Sequence, residues 1–121
     1  MSEIIRKRAL KNRLSGIAIH NNTVYLSGQV SWNAQSESIQ NQTKDILNVI
    51  DEMLAEAGSD KTKLISVTIW LTDMGDFDGF NEVWDSWIPE GCEPARACVG
   101  APLAQLKDHE FCVEVAVIAA I

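Results

Sequence analysis

Residues 39–71 read IQNQTKDILNVIDEMLAEAGSDKTKLISVTIWL, and the spacing of apolar side chains changes once within them. Ile39, Ile46, Leu47, Ile50, Met53, Leu54 and Ala57 recur with the 3.6-residue period of a helix that is apolar on one face. Ser36 is the expected N-cap, and Gly58 can take the left-handed conformation that stops a helix. From Leu64 to Leu71 the period falls to two: Ile65, Val67, Ile69 and Leu71 alternate with Ser66, Thr68 and Trp70, and the β-branched content predicts a strand central in a sheet. A helix leading directly into such a strand makes this an α/β chain.

Moving outward, Asp76 is positioned to cap a second helix whose Phe77, Phe80, Trp84, Trp87 and Ile88 form one stripe, ended by Pro89 and Gly91. Two further strands are expected at Ala95–Gly100 and Phe111–Ala119, joined by a polar loop holding Lys107, Asp108 and His109. Upstream, Ile17–His20 and Thr23–Val30 flank Asn21-Asn22, a pair that tolerates the positive φ of a tight hairpin. The order β-β-α-β-α-β-β places two helices on one face of a mixed sheet. In the last strand Val113, Val115 and Val117 occupy one face and Cys112, Ala116 and Ile118 the other, with only Glu114 charged. Two helices shield one side of a sheet, so the other is expected to be buried between subunits. No repeat or linker divides residues 1–121, and a single domain is expected.

Composition narrows the function classes. With 17 acidic and 10 basic residues the formal charge is −7, which opposes approach to nucleic-acid phosphates or an anionic membrane. The basic cluster Arg6, Lys7, Arg8, Lys11 and Arg13 reads as a solvated first segment. No apolar run approaches the roughly 20 residues that span a bilayer, and no signal-peptide core is present, so a cytoplasmic protein is expected. Cys92, Cys98 and Cys112 read as reduced thiols, and with His20 and His109 far apart a structural zinc site is not expected.

Two charged residues interrupt apolar strands. Arg96 lies within Pro94-Ala95-Arg96-Ala97-Cys98-Val99-Gly100, and a guanidinium cannot shed its proton to enter a core, so it needs an anion. That anion is either a carboxylate of the same protein or a ligand carboxylate gripped by two parallel hydrogen bonds. Strand alternation puts Arg96, Cys98 and Gly100 on one face. Glu114, left unpaired in its strand, would cost several kcal/mol; it either neutralises Arg96 across neighbouring strands or binds and activates water. Cys98 has no evident activating histidine and reads as a small buried side chain. Ser27-Gly28 ends a strand where a hydroxyl and backbone groups can meet a ligand, although ordinary strand ends use the same pair. Trp70, Trp84 and Trp87 fall on packing faces, whereas Trp32, in the polar stretch after Gly28, is the candidate pocket-lining aromatic.

Four segments in order, Val24-Tyr25-Leu26-Ser27-Gly28-Gln29-Val30, Asp76-Phe77 with Asn81, Pro94-Ala95-Arg96-Ala97-Cys98-Val99, and Val113-Glu114-Val115, resemble the reactive-intermediate-deaminase (Rid, or YjgF-like) family over nearly the whole chain. The resemblance implies a chorismate-mutase-like fold, a homotrimer whose sheets form an inner barrel, and ligand clefts between subunits. It further implies hydrolysis of 2-imino or enamine acids to 2-oxo acids and ammonia, with no metal or organic cofactor. The Arg96 position would bind the substrate carboxylate and the Glu114 position would orient or activate water, while backbone groups at Gly28 and Cys98 and the serine at Ser27 help hold the ligand. Two departures mark a divergent subgroup: Arg13-Leu14-Ser15 stands where deaminase members carry Gly-Pro-Tyr, and Ala116 where many place a second acid. The alternative expectation is therefore a non-catalytic protein that binds or senses small carboxylates such as 2-oxo acids.

Overall fold

A computed structural model describes residues 3–106 and 110–121; the expected loop residues Lys107, Asp108 and His109 lie outside the described residues. Six strands, β1 (Ile5–Leu10), β2 (Leu14–His20), β3 (Thr23–Leu26), β4 (Leu64–Leu71), β5 (Ala95–Gly100) and β6 (Val113–Ala120), form one sheet in the order β1-β2-β3-β6-β4-β5. Helices α1 (Ile39–Glu56) and α2 (Phe77–Trp87) lie between β3 and β4 and between β4 and β5 in the chain. Only β4 and β5 are parallel; all other neighbours are antiparallel. The mixed sheet with two helices is as expected, but a strand precedes the expected order.

That extra strand is β1. Its charges conceal it in the sequence, yet an edge strand has one open side and tolerates charge well. Lys11 and Asn12, both at positive φ, turn β1 into β2. Arg8, also at positive φ, drops out of the register between the paired Lys7 and Ala9 and lies against Gly16, and the irregularity lets successive side chains reach the same helix end. Lys7 donates to the Glu56 carbonyl at 3.3 Å and Arg8 pairs with the Glu56 carboxylate at 3.1 Å. The first segment is therefore paired and tethered rather than merely solvated.

The core lies between the sheet and the two helices. Ile46, Leu47, Ile50, Met53 and Leu54 of α1 pack on Val67, Ile69 and Leu71 of β4 and on Val113, Val115, Val117 and Ala119 of β6; each such side chain contributes roughly 1.5–3 kcal/mol on burial. The opposite face stays open, with Tyr25 and Val99 about half exposed. Asn21 and Asn22 both take positive φ in the β2–β3 turn, and Gly58 at +84° follows the C-cap of α1, as the sequence indicates.

Local caps differ from expectation. Ser38, not Ser36, caps α1 by accepting from the Asn41 amide. Ser36 instead ties its loop to Glu110, donating its amide to the Glu110 carbonyl at 2.8 Å and accepting from the Glu110 amide at 3.1 Å. Asp76 makes no cap bond; Asp73 accepts from the Gly75 amide in the turn before it. The expected strand Thr23–Val30 stops at Leu26; beyond it Ser27 still bonds Gly16 of β2, and Gln29 forms an isolated bridge opposite Val115.

Candidate functional site

The break after Leu26 forms one wall of a cavity of about 740 Å³, within the range of small-molecule sites. Gln29 and Val115 exchange both backbone hydrogen bonds, at 2.8 and 3.0 Å, which presses Gly28 against Glu114. A Cβ at Gly28 would collide with the Glu114 carboxylate, so glycine is what allows strand and carboxylate to lie so close. Among the described residues the Gly28 amide makes no hydrogen bond. The Ser27 amide is bonded to the Gly16 carbonyl at 2.9 Å, and its hydroxyl accepts from the Gln29 side chain at 3.2 Å. Ser27, Gly28, Trp32 and Glu114 all line the cavity. Trp32 is 56% exposed and meets the Phe111 ring edge-on at 5.1 Å.

Two polar residues of α1 hold the loops that build this cavity. Asp45 accepts from the Ser31 hydroxyl at 2.7 Å, the Asn33 amide at 3.1 Å and the Asn33 side chain at 3.0 Å, on either side of Trp32. Burial pushes the Asp45 pKa up, but these hydrogen bonds together outweigh it and hold the carboxyl below its ordinary value. Gln42, 1% exposed, donates to the carbonyls of Glu37 and Glu110, both at 3.1 Å, and accepts from the Cys112 amide at 3.0 Å. It thereby fastens both flanking loops two residues before Glu114.

Arg96 lies elsewhere. It pairs in register with Val67, which pairs with Val117, so it projects on the helix-covered face. Its guanidinium donates to Asn81 Oδ1 at 2.6 Å and sits 6.0, 5.7 and 5.3 Å from the rings of Phe77, Phe80 and Trp84. Aromatic faces and an amide stabilise a cation without cancelling its charge. The single salt bridge among the described residues is Arg8–Glu56, so no described carboxylate pairs with Arg96. Glu114 pairs with Trp70, which pairs with Val99, on the opposite face and with β4 between. The expectation that Glu114 neutralises Arg96 is thus overturned, because strand alternation turns the two side chains away from each other.

Cys98 shares the Arg96 face, opposite Ile69, and Gly100 follows against Met74. Burial pushes the Cys98 thiol up against the opposing pull of Arg96, and burial together with Asp76 pushes Cys112 to about 11. Neither is an activated nucleophile. Within one chain, then, Ser27, Gly28, Trp32 and Glu114 come together, while Arg96 and Cys98 form a separate cationic surface. Sequence reasoning missed the aromatic cradle of Arg96, since Phe77, Phe80 and Trp84 read as helix core; it also missed Leu10, Leu106 and Phe111 as cavity walls, for which only their apolar character gives a signal.

An α/β chain with a lone guanidinium on its edge strand and a carboxylate beside a glycine break defines a class, and comparison with known proteins identifies it. The chain matches the family described as endoribonuclease L-PSP over residues 6–121. It is 40% identical over 107 residues to a RutC family protein of Haemophilus influenzae, covering 88% of this chain and 90% of that one. A crystal structure of a YjgF-family protein from Neisseria meningitidis superposes with a TM-score of 0.90 at 40% identity, covering 98% and 94% of the two chains. The Arabidopsis thaliana protein named chloroplastic Reactive Intermediate Deaminase A is 34% identical over 82 residues, 64% of this chain and 43% of that one. The chain belongs to the Rid/YjgF family. Among the described residues no helix is long and apolar enough to cross a membrane.

Proposed function

We propose that this protein hydrolyses 2-imino or enamine acids to 2-oxo acids and ammonia in clefts completed by two copies of the chain. The supporting observation is the separation just described: a half-buried guanidinium that no described carboxylate pairs with and a carboxylate lining a cavity, on opposite faces of one sheet. One chain cannot turn both toward a single small ligand. A second copy docked edge to cavity can, and a homotrimer with the open sheet faces forming an inner barrel closes three such clefts. The name of the plant relative agrees with this chemistry.

Arg96 grips the substrate carboxylate bidentately, with the Cys98 backbone beside it. Ser27 and the free Gly28 amide orient the ligand from the other side, and Trp32 covers it. Glu114 takes a proton from a water molecule whose oxygen attacks C2 of the protonated imine. Glu114 returns that proton to the nitrogen of the resulting carbinolamine, the C–N bond breaks as the hydroxyl gives its proton back to Glu114 and forms the 2-oxo carbonyl, and ammonia and the 2-oxo acid leave. Positioning and one proton-transfer group suffice, because the iminium carbon is already electrophilic. No metal or organic cofactor takes part, and the setting is the cytoplasm, where amino-acid metabolism generates such imines.

The test is complementation. Arg96→Ala and Glu114→Gln each lower turnover of freshly generated imino acids, at concentrations below KM, by about 10²-fold or more. Co-expressed at equal levels, they regain about a quarter of wild-type activity, because random mixing completes about one cleft in four. Recovery of none defeats the shared cleft. Stabilisation by 2-oxo acids without any turnover in the wild type would make the protein a carboxylate binder or sensor instead.

A further inference from the structure

The cavity beside Glu114 carries information about the substrate that the reacting groups do not. Beyond Ser27, Gly28 and Glu114, its wall consists largely of Leu10, Leu14, Trp32, Leu106 and Phe111. Leu10, Leu14, Trp32 and Leu106 are between 47% and 56% exposed, a cluster of large apolar side chains converging on one opening from three separate segments. Apolar surface kept open around a concave site marks a ligand or partner contact. Among the described residues the one cation in the lining is Arg8, and its charge is engaged: Nε and Nη2 both bond the Glu56 carboxylate, at 3.2 and 3.1 Å. A substrate whose side chain ends in a carboxylate therefore meets no free cation among the described residues of this wall and faces the Glu114 charge. A substrate with a one-carbon side chain leaves the leucines wet.

Resting on the deaminase reading above, we propose that the preferred substrates are 2-imino acids with large apolar side chains, of the kind formed from leucine or phenylalanine. Leu14, at the end of the β1–β2 turn, is the specificity-determining residue. Its position follows from the hairpin register, in which Leu10 and Leu14 pair directly, so the turn places two leucines together at the rim. Each methylene buried in the site is worth roughly a fourfold gain in affinity, and three additional carbons at a partly open rim give about tenfold.

The experiment generates imines in place from leucine, phenylalanine, alanine and glutamate with an amino-acid oxidase and follows their loss. In parallel, titration calorimetry compares 4-methyl-2-oxopentanoate with pyruvate. The expected kcat/KM is about tenfold higher for the leucine-derived imine than for the alanine-derived one, with the glutamate-derived imine poorest, and 4-methyl-2-oxopentanoate binds about tenfold more tightly than pyruvate. Leu14→Ser reduces both ratios to within about twofold of unity. Turnover in which alanine- or glutamate-derived imines match or exceed the leucine-derived one overturns the specificity and leaves the deaminase reading standing. If no imine is consumed, the deaminase reading fails, and the calorimetric ratio alone decides: tenfold supports the apolar pocket, parity overturns it.

Discussion

Arg96 stands on a regular strand beneath a regular helix, whereas the walls around Glu114 are mostly loops. The cation is fixed by packing: strand register turns it toward α2, and three aromatic rings with one amide oxygen define its place. The carboxylate is fixed by polar staples. Gln42 reaches out of α1 to hold the segment that leads into it, Asp45 holds the loop around Trp32, and a glycine break brings the chain against it. A charge set on regular elements keeps its geometry at little additional cost, while a loop-walled cavity depends on a few buried hydrogen bonds, each expensive to leave half-made. The first half suits binding a constant group, the carboxylate, and the second suits variation in what else is bound.

The sharpest break of this comparison separates binding from chemistry. Glu114→Gln is expected to lower kcat by about 10²–10⁴-fold, the usual contribution of a positioned base, with little change in KM. Arg96→Gln removes a charge-assisted anchor used in ground and transition state alike, so its expected loss of about 10²-fold in kcat/KM lies mainly in KM. Steady-state kinetics on the leucine-derived imine reads both. Equal effects on kcat from the two variants would mean that anchor and base do not divide the work this way.

The regular half was also the legible half. The period change at residues 39–71 locates α1 and β4, and alternation alone puts Arg96 and Cys98 on one face of β5. Which face that is, and whether Glu114 shares it, depends on strand order: β6 inserts between β3 and β4, a long-range pairing that leaves no local trace. The same holds for β1, whose Arg and Lys residues suit an edge strand and a solvated segment equally well. Ser36 and Ser38 are both plausible caps by residue type; Ser36 is diverted by Glu110, which is distant in sequence. The staples at Gln42 and Asp45 lie on a helix whose apolar stripe is plain from its spacing, but the loops they hold become visible only once the chain has folded.

Gln42 offers a test of how far the cavity half leans on single side chains. Gln42→Leu keeps the volume near constant yet strands two carbonyls and one amide, and is expected to cost about 2–4 kcal/mol of folding stability. Chemical denaturation of the variant measures it. The loss should be accompanied by weaker activity with KM for the substrate carboxylate affected less than kcat, because Cys112 leads directly into the Glu114 strand while the Arg96 cradle is untouched. A variant as stable as the parent would show that loop packing, not this amide, sets the geometry.

The smallest expected effect carries a pH signature. Asp45 has a folded-state pKa below its ordinary 3.8, so its contribution to stability is fully present above that value and is lost as pH falls through the lower folded value. Asp45→Asn keeps the side-chain shape but replaces a charged acceptor of three hydrogen bonds with a neutral one. The variant should therefore melt a few degrees below the parent at neutral pH, and the gap should close as the parent's own Asp45 becomes protonated under acid conditions. Because these bonds flank Trp32, the fluorescence of the variant should report a more solvent-exposed indole at neutral pH while the Arg96 half keeps its stability. A gap that persists unchanged into strong acid would assign the loss to side-chain packing and not to the charge, and would remove Asp45 as the electrostatic staple of the cavity.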